Sequence, residues 1–561
     1  MNKPAQLLSL LAPLAFARMA YGEADPLAHG DRTASLYRDV LRVGEGGKPL
    51  LPLSVLSRQD KVEIAAPAGL RILGTGDGQV DVRLPPERAV ELSANDRRPG
   101  VVRQFVVLAR AAAWDFDTLR AQKAAWKDRG LAVRALGTGT TYGLAGRMFD
   151  TRQTLLCLDA QFEDGAVARA KAAELARQFG GELAVHTVVE TPPGAELVVR
   201  DKAGSALEIH ARDVLWFEAL KHTGKAAALR VVGSRGSVRT DLELPGRVYV
   251  IAGQQGLEVV NEAEIERILE GVVASEIFHS APDAALRAQA IAARTDMLAK
   301  VGTRHATDPF AICSETHCQA FRGLERVNAR IAAAVHDTRG QVLVDAEGRL
   351  VDAYYHAASG GHTEANENVW PGRPQPALRG APDVIEGGKP PFAQGMSDAA
   401  VQAMLEGKDE SWAAASGLNA EACRWKTERS AGELLDQLKG FGVAAPVREL
   451  NVLRRGVSGR VVSLQVASID GKVVSIDGEL RIRDALGGSH GPKGLRSSLV
   501  IVKPGAMGKN GAPERWTFVG AGFGHGVGMD QTGAVARAKA GQDYKTILLH
   551  YYTGARLETL Y

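Results

Sequence analysis

The chain has 561 residues, with 68 Lys and Arg against 65 Asp and Glu and a formal net charge of +3. That length exceeds what one core supports and predicts two to four domains. The near balance of charge excludes a bulk electrostatic nucleic-acid binder.

The N-terminus reads as an export signal over residues 1–22. Lys3 is the charged flank, Leu7–Phe16 the apolar core, and Ala20-Tyr21-Gly22 a small-x-small cleavage site. An uncleaved anchor or an ordinary buried helix is the alternative. The apolar run is too short to span a bilayer, and no other segment approaches a span. The expected location is a periplasm or cell-wall compartment. Residues 23–103 read as a β-rich or partly extended segment, with alternation at Val80–Leu84 and no chemistry of its own. Residues 104–195 carry the order βαββαβ: strands at Phe105–Arg110, Leu131–Leu136, Thr154–Leu158 and Leu183–His186, helices at Asp117–Arg129 and Gly165–Phe179. Only Phe105 is aromatic on those strands, which argues against an RNA-binding sheet. From Glu196 to Asn261 the chain is strand-rich.

A helical pattern then begins at Glu262. Ile265, Ile268, Leu269, Val272 and Val273 form one apolar stripe, and Glu276 falls on the same stripe. Desolvation there raises a carboxyl pKa, as a general acid near neutral pH requires; a glutamate reaching water at a frayed helix end is the plain alternative. Ser280 is the expected cap of a second helix with Pro282 in its first turn, Leu286, Ala290, Ala293 and Met297 on its apolar face, and Gly302 at its end. Its polar members Arg287, Gln289 and Arg294 are candidates to face a polyanionic or carbohydrate ligand. Downstream, residues 342–357 read as a hairpin turning at Glu347-Gly348 and delivering Tyr354, Tyr355 and His356 to a glycine turn. Arg448–Arg483 reads as a β-meander with a turn at Asp470-Gly471 and a second candidate at Asp477-Gly478.

His305, Cys313, His317 and Cys318 are metal-ligand types, and four thiolate and imidazole ligands suit a closed, structural zinc site. A Cys313–Cys318 disulfide and free thiols are the alternatives. Cys157 and Cys423 read as buried thiols. Ser359, Gly360, Gly361 and Thr363 make a glycine turn whose amides can bind sugar hydroxyls or a carboxylate. The loop around His525, GFGHGVGMDQ, lacks the Lys-Ser/Thr of a phosphate loop and the strand–helix context of a dinucleotide site. His525 is either a cleft residue or a histidine satisfied within a tight turn. No nucleophile elbow is present.

Four phrases make the chain resemble a known family: GVVASEIF with ALRAQAIAARTDML, CSETHCQAF, AYYHAASGGHTEANENVW, and GAGFGHGVGMDQTGA. They stand in the order found in the stage II sporulation protein D family, also called the amidase-enhancer family. The resemblance covers roughly Gly204 to Tyr561. It implies an α+β, multidomain protein: a β-rich platform with a helical catalytic core at 196–561, preceded by the small βαββαβ module, itself similar to a SPOR glycan-binding module. It further implies a lytic transglycosylase acting on peptidoglycan glycan strands, with Glu276 as the catalytic glutamate. Tyr354, Ser359, Gly360, Gly361, Thr363, His525 and Gln531 would line its cleft, together with Arg287, Gln289 and Arg294. Zinc is found near the cysteines in some members. A cell-wall amidase is an implied partner, and a non-catalytic amidase enhancer or a conventional glycan hydrolase is the alternative function. The family pattern has Ser at Asp530 and an aromatic at Thr532, so contacts from these two positions are open.

Overall fold

Alternating strands need partners, and several of those in residues 42–98 find one more than a hundred residues downstream. The computed structural model describes residues 41–561 and residues 33, 36 and 37, apart from 45–46, 75–79, 181–182, 205–206, 221–227, 316, 371, 393–395 and 488–493. The export signal at 1–22 lies outside the described residues. One large sheet runs in the order Arg42–Val43, Pro49–Gln59, Gly256–Glu264, Arg247–Gly253, Val214–Ala219, Leu70–Gly74 and Val80–Leu84. Ile312–Cys313 joins it, parallel to Pro49–Gln59. A six-stranded sheet interleaves Ala89–Arg98 and Lys61–Ala65 with strands between Gly194 and Leu244. The segment expected to stand apart at 23–103 is therefore half of the platform. Alternation shows which residues face inward, but the partner strand lies beyond any local pattern.

The last platform strand, Gly256–Glu264, runs straight into the helix Ile265–Glu276. Ile265, Ile268, Leu269, Val272 and Val273 are fully buried against both sheets. At about 1.5–3 kcal/mol each, this stripe fixes the helix to the platform. The long helix Asp283–Lys300 follows and packs against it, with Ala285, Ala288, Ala290, Ala292 and Ala293 fully buried where the small side chains permit close approach.

The βαββαβ order is inserted between platform strands. Its antiparallel sheet runs Ala184–Thr191, Val101–Ala112, Gln153–Leu158, Val133–Thr138, under helices Phe116–Asp128 and Gly165–Phe179. Asp115 and Asp164 cap the two helices by accepting from the amides of Thr118 and Ala166. A hairpin not read from the sequence, Thr141–Leu144 with Arg147–Asp150, leaves the module and buries Tyr142, Leu144 and Phe149 in the platform core. The Tyr142 hydroxyl donates to the Leu298 carbonyl at 2.9 Å, near the end of the long helix.

The remaining chain is mixed. The meander Val447–Arg455, Val461–Ser468 and Val473–Asp477 turns at Asp470-Gly471 as expected. At Asp477-Gly478, however, the chain enters the helix Glu479–Ala485 rather than a second hairpin. The Gly348 turn is present, but Gln341–Val344 pairs with the C-terminal strand Arg556–Thr559, and the pairing across the turn is short, from Leu343–Val351 to Asp345–Arg349. The observed protein is thus a mixed α and β structure in several sheets.

Candidate functional site

Glu276 is the final residue of its helix, and Ile277 after it is extended. The corner is set by Pro282, at φ −60°, which precedes the long helix with no side-chain cap; Ser280 does not cap it. The Glu276 carboxyl is half-buried, and its Oε1 accepts from the Ala320 amide at 2.6 Å. Burial pushes its pKa up to about 7, against smaller opposing pulls from the Ala320 amide and the Lys300 ammonium. The Tyr355 hydroxyl is within hydrogen-bonding reach of the same carboxyl and donates to Gln319 Oε1. Gln319 donates in turn to Asp296, which also accepts from Lys300 Nζ at 2.6 Å. Lys300 closes the chain by donating to the Cys318 carbonyl at 2.8 Å. Cys318 and Gln319 are therefore tied to the long helix, and the next residue, Ala320, presents its amide to the glutamate.

The polar members of the long helix have other duties. Arg294 is fully buried and forks onto Glu266 at 2.8 and 2.7 Å, so it braces the two helices and faces no ligand. Gln289 is fully buried too; Gln531 Nε2 donates to Gln289 Oε1 at 3.2 Å and to the Glu276 carbonyl at 2.9 Å. These two glutamines hold the helix end from behind. Arg287 pairs with Asp337 at 2.7 Å beside Arg330, on the face turned to the helix Ala329–Asp337.

His305, Cys313, His317 and Cys318 converge, their ligand atoms all within 4.8 Å of one another. His317 Nδ1 lies 3.4 Å from Cys313 Sγ and 3.6 Å from Cys318 Sγ. Tetrahedral zinc with sulfur at about 2.3 Å and nitrogen at about 2.0 Å separates its ligands by about 3.3–3.8 Å. His305 Nδ1 is held by Asp308 at 2.8 Å, and its buried Nε2 has no partner. A carboxylate orienting one ring nitrogen while the other is left free is how a metal-binding histidine is prepared. All four cysteines carry free thiols, with Cys157 and Cys423 buried as expected. The donor set fits zinc.

Ser359, Gly360, Gly361 and Thr363 are buried and spend their polar groups internally. The Ser359 amide donates to Asp530 at 2.6 Å, the Gly361 amide to Ser359 Oγ at 3.1 Å, and the Thr363 amide to the Ala381 carbonyl at 2.9 Å. This turn is a packing device, not a row of amides open to sugar. Asp530 caps the helix Gln531–Lys539 by accepting from Gly533 at 2.8 Å, and Thr532 Oγ1 donates to the Ala357 carbonyl at 2.7 Å. Both departures from the family pattern are thus satisfied inside the protein.

The sequence reading missed Arg460. It is fully buried and donates to Ser458 Oγ at 3.0 Å, the Ser359 carbonyl at 3.1 Å and the Gly524 carbonyl at 3.4 Å, which ties the Ser359 turn to the His525 loop. A Cβ on Gly526 would overlap its guanidinium, and one on Gly528 would overlap the Tyr354 carbonyl. Close approach, not ligand binding, explains this glycine-rich loop. Arg460→Ala is expected to lower stability by about 3–5 kcal/mol, because it strands several buried carbonyls and opens a void; denaturant titration measures it.

Lys300, which acts on Glu276, also lies over the Tyr354 ring, 5.8 Å from its centroid, and Tyr354 belongs to an aromatic cluster. The ring centroids of Tyr354 and Trp370 are 4.4 Å apart, and those of Trp370 and His525 4.8 Å apart. His525 is half-buried, and its Nδ1 accepts from the Val527 amide at 3.1 Å. Burial, with the nearby His356 and Arg460, holds its pKa well below the usual value, so it is neutral. Of the cleft residues expected from sequence, Tyr354, His525 and Gln531 lie here. Tyr355 is read from the sequence only as part of the hairpin and Trp370 only within the motif phrase, since an aromatic beside a strand end carries no local signal of exposure.

The family described as stage II sporulation protein matches over residues 253–344, which hold both helices and the Cys/His cluster. A domain of unknown function matches over residues 364–528. An uncharacterized protein of Brachyspira hyodysenteriae is 28% identical over 320 residues, covering 57% of this chain and 73% of that protein. The amidase enhancer of Bacillus subtilis is 27% identical over 319 residues, covering 52% of this chain and 40% of that protein, so the match spans less than half of the enhancer. No helix among the described residues is long and apolar enough to cross a membrane. These matches and the four motif phrases agree: over residues 253–344 the chain carries a domain of the family described as stage II sporulation protein, and it is similar to an amidase enhancer.

Proposed function

We propose that the protein is an exported lytic transglycosylase that cleaves the bond between N-acetylmuramic acid and N-acetylglucosamine in peptidoglycan glycan strands. The observation that carries this reading is Glu276, a half-buried carboxyl raised to about 7 whose Tyr355 partner adjoins the aromatic cluster of Tyr354 and Trp370. The other acid of its network, Asp296, is buried and engaged by Lys300 and Gln319. A hydrolase needs two working carboxylates, whereas an intramolecular displacement needs one. As acid, Glu276 protonates the glycosidic oxygen as the C1–O bond breaks. As base, it then takes the proton of the muramic 6-hydroxyl, whose oxygen bonds to C1. The product is a 1,6-anhydro end, and no water is consumed. Tyr355 and the Ala320 amide orient the carboxyl, and Tyr354, Trp370 and His525 offer flat surfaces for sugar rings. His305, Cys313, His317 and Cys318 would hold a structural zinc, which supplies no open coordination position and braces the loop carrying Ala320.

The test is mass spectrometry of peptide-stripped strands after incubation with the mature protein. Anhydromuramic ends support the proposal, and reducing ends point to a hydrolase. The similarity to an amidase enhancer favours a second reading, a non-catalytic protein that binds glycan and stimulates a cell-wall amidase. Retained binding, no new ends of either kind and acceleration of an added amidase would establish it.

A further inference from the structure

A chain of hydrogen bonds has a direction, because each link has one group that gives a proton and one that takes it. The chain behind Glu276 starts at Lys300, the last residue of the long helix. An ammonium has only protons to give, and Lys300 donates to Asp296 Oδ2 at 2.6 Å, one helical turn earlier. The two side chains are 8% and 2% exposed, so water does not compete for the pair. Asp296 is thereby an acceptor, and the same oxygen takes the side-chain NH2 of buried Gln319. An amide that gives its nitrogen to Asp296 keeps its oxygen for the other side; reversed, it would set oxygen against oxygen. Gln319 Oε1 accordingly takes the hydroxyl proton of Tyr355, from the short strand Tyr355–His356. A phenol has one proton. With that proton spent on Gln319, Tyr355 presents a lone pair to the Glu276 carboxyl within its reach.

A lone pair suits a protonated carboxyl and repels a carboxylate. A hydroxyl that donated to Glu276 would favour the carboxylate instead, but it would leave the buried Gln319 oxygen without its donor. The other groups around Glu276 come from three elements. The long helix brings the Lys300 charge, which favours the carboxylate, and the Asp296 charge, which opposes it. The segment after Cys318 brings the Ala320 amide, which occupies Oε1 and leaves Oε2 to carry the proton. The helix Gln531–Lys539 brings Gln531, which binds the backbone carbonyl of Glu276. Among these, the direction of the Tyr355 hydroxyl is fixed from behind, by residues that do not touch Glu276.

We infer that Asp296 and Gln319 are positioning residues, which turn the oxygen of Tyr355 and not its proton toward Glu276 and so hold the carboxyl in its acid form between turnovers. The inference rests on the proposed reading of Glu276 as acid and base. Once Glu276 has given its proton to the glycosidic oxygen, the new carboxylate attracts the Tyr355 hydroxyl, which turns its proton from Gln319 to Glu276. When Glu276 takes the proton of the muramic 6-hydroxyl, the Tyr355 hydroxyl turns back to Gln319. Tyr355 keeps its proton throughout, and the proton gained from the 6-hydroxyl replaces the one given to the leaving sugar.

The experiment uses the full-length protein with Gln319→Met, which fills similar space and is a poor acceptor, and separately with Tyr355→Phe, which keeps the ring. Wild type and both variants are each compared with the same protein carrying Glu276→Gln in addition, by thermal melting at about pH 4 and about pH 8. Near pH 4 the carboxyl is protonated whether folded or unfolded, so a change there reports packing alone. The gap that opens within each pair toward pH 8 measures how far folding raises the proton affinity of Glu276. With Gln319→Met the Tyr355 proton is free to turn to the carboxylate. The gap at pH 8 is expected to narrow by about 40%, which corresponds to a fall of about one pH unit from about 7. Anhydro ends then form about tenfold more slowly at pH 8 and at nearly the wild-type rate at pH 5. Tyr355→Phe narrows the gap as well, because the protonated carboxyl loses its acceptor; removal of a donor to the carboxylate would widen it. A purely structural part for Gln319 lowers both members of a pair alike and leaves the gap as it was. An unchanged or wider gap in either variant overturns the inference. Anhydro ends from the wild type with an unchanged gap in the variants sink this inference alone; a narrowed gap without strand cleavage sinks the transglycosylase reading alone.

Discussion

Glu276→Gln is expected to reduce formation of anhydro ends by about 10²–10⁴-fold, the range for loss of a positioned general acid and base. The fold should survive, because the amide oxygen still accepts from Ala320 and helix packing is unaltered. The pH dependence has a definite sign. The acid role needs the protonated carboxyl, so with a pKa of about 7 the wild-type rate falls roughly tenfold per unit above neutrality. The same shift is a stability statement. A carboxyl whose pKa rises on folding binds its proton more tightly in the folded state, so its contribution is full below its unfolded pKa and is lost as pH rises through about 7. The glutamine variant carries no such ionisation. Its melting temperature should therefore match the wild type below the unfolded pKa, at about pH 4, and exceed it at about pH 8. A variant that melts lower at pH 8 would mean that the ionised carboxylate is the form this site favours.

Removal of the proposed zinc is the second large expected effect. The Cys/His cluster sits on the segment that carries Gln319 and the Ala320 amide, so releasing it frees both contacts near Glu276. Chelation is expected to lower the melting temperature by roughly 5–10 °C, equivalent to a few kcal/mol in a protein of this size, and to lower cleavage with it. Added zinc should restore both. A disulfide between Cys313 and Cys318 gives the opposite pattern: indifference to chelator and a drop with reductant.

Local patterns in the sequence reached the parts of this site that are built locally. The apolar stripe put Glu276 on a buried face, and the four cluster residues lie within a span of fourteen, His305 to Cys318. The errors have one physical source. A buried glycine turn and a ligand-binding one share the same residues, because both need backbone approach without a Cβ; only the neighbour distinguishes them. For Gly526 the neighbour is Arg460, more than sixty residues earlier in a meander, where a lone arginine gives no sign of burial. Gln289 and Arg294 look like surface polar residues by type, yet their partners Gln531 and Glu266 sit on other helices. The platform strands before residue 98 were invisible as a platform for the same reason.

The hairpin at 141–150 has a consequence for how the protein could be rearranged. A glycan-binding module on a flexible tether acts through effective concentration and can be exchanged between enzymes. Here Tyr142, Leu144 and Phe149 are part of the neighbouring core, so the module is a keyed component rather than a portable one. Grafted elsewhere it would carry an exposed apolar prong, and the protein left behind would have a hole in its core.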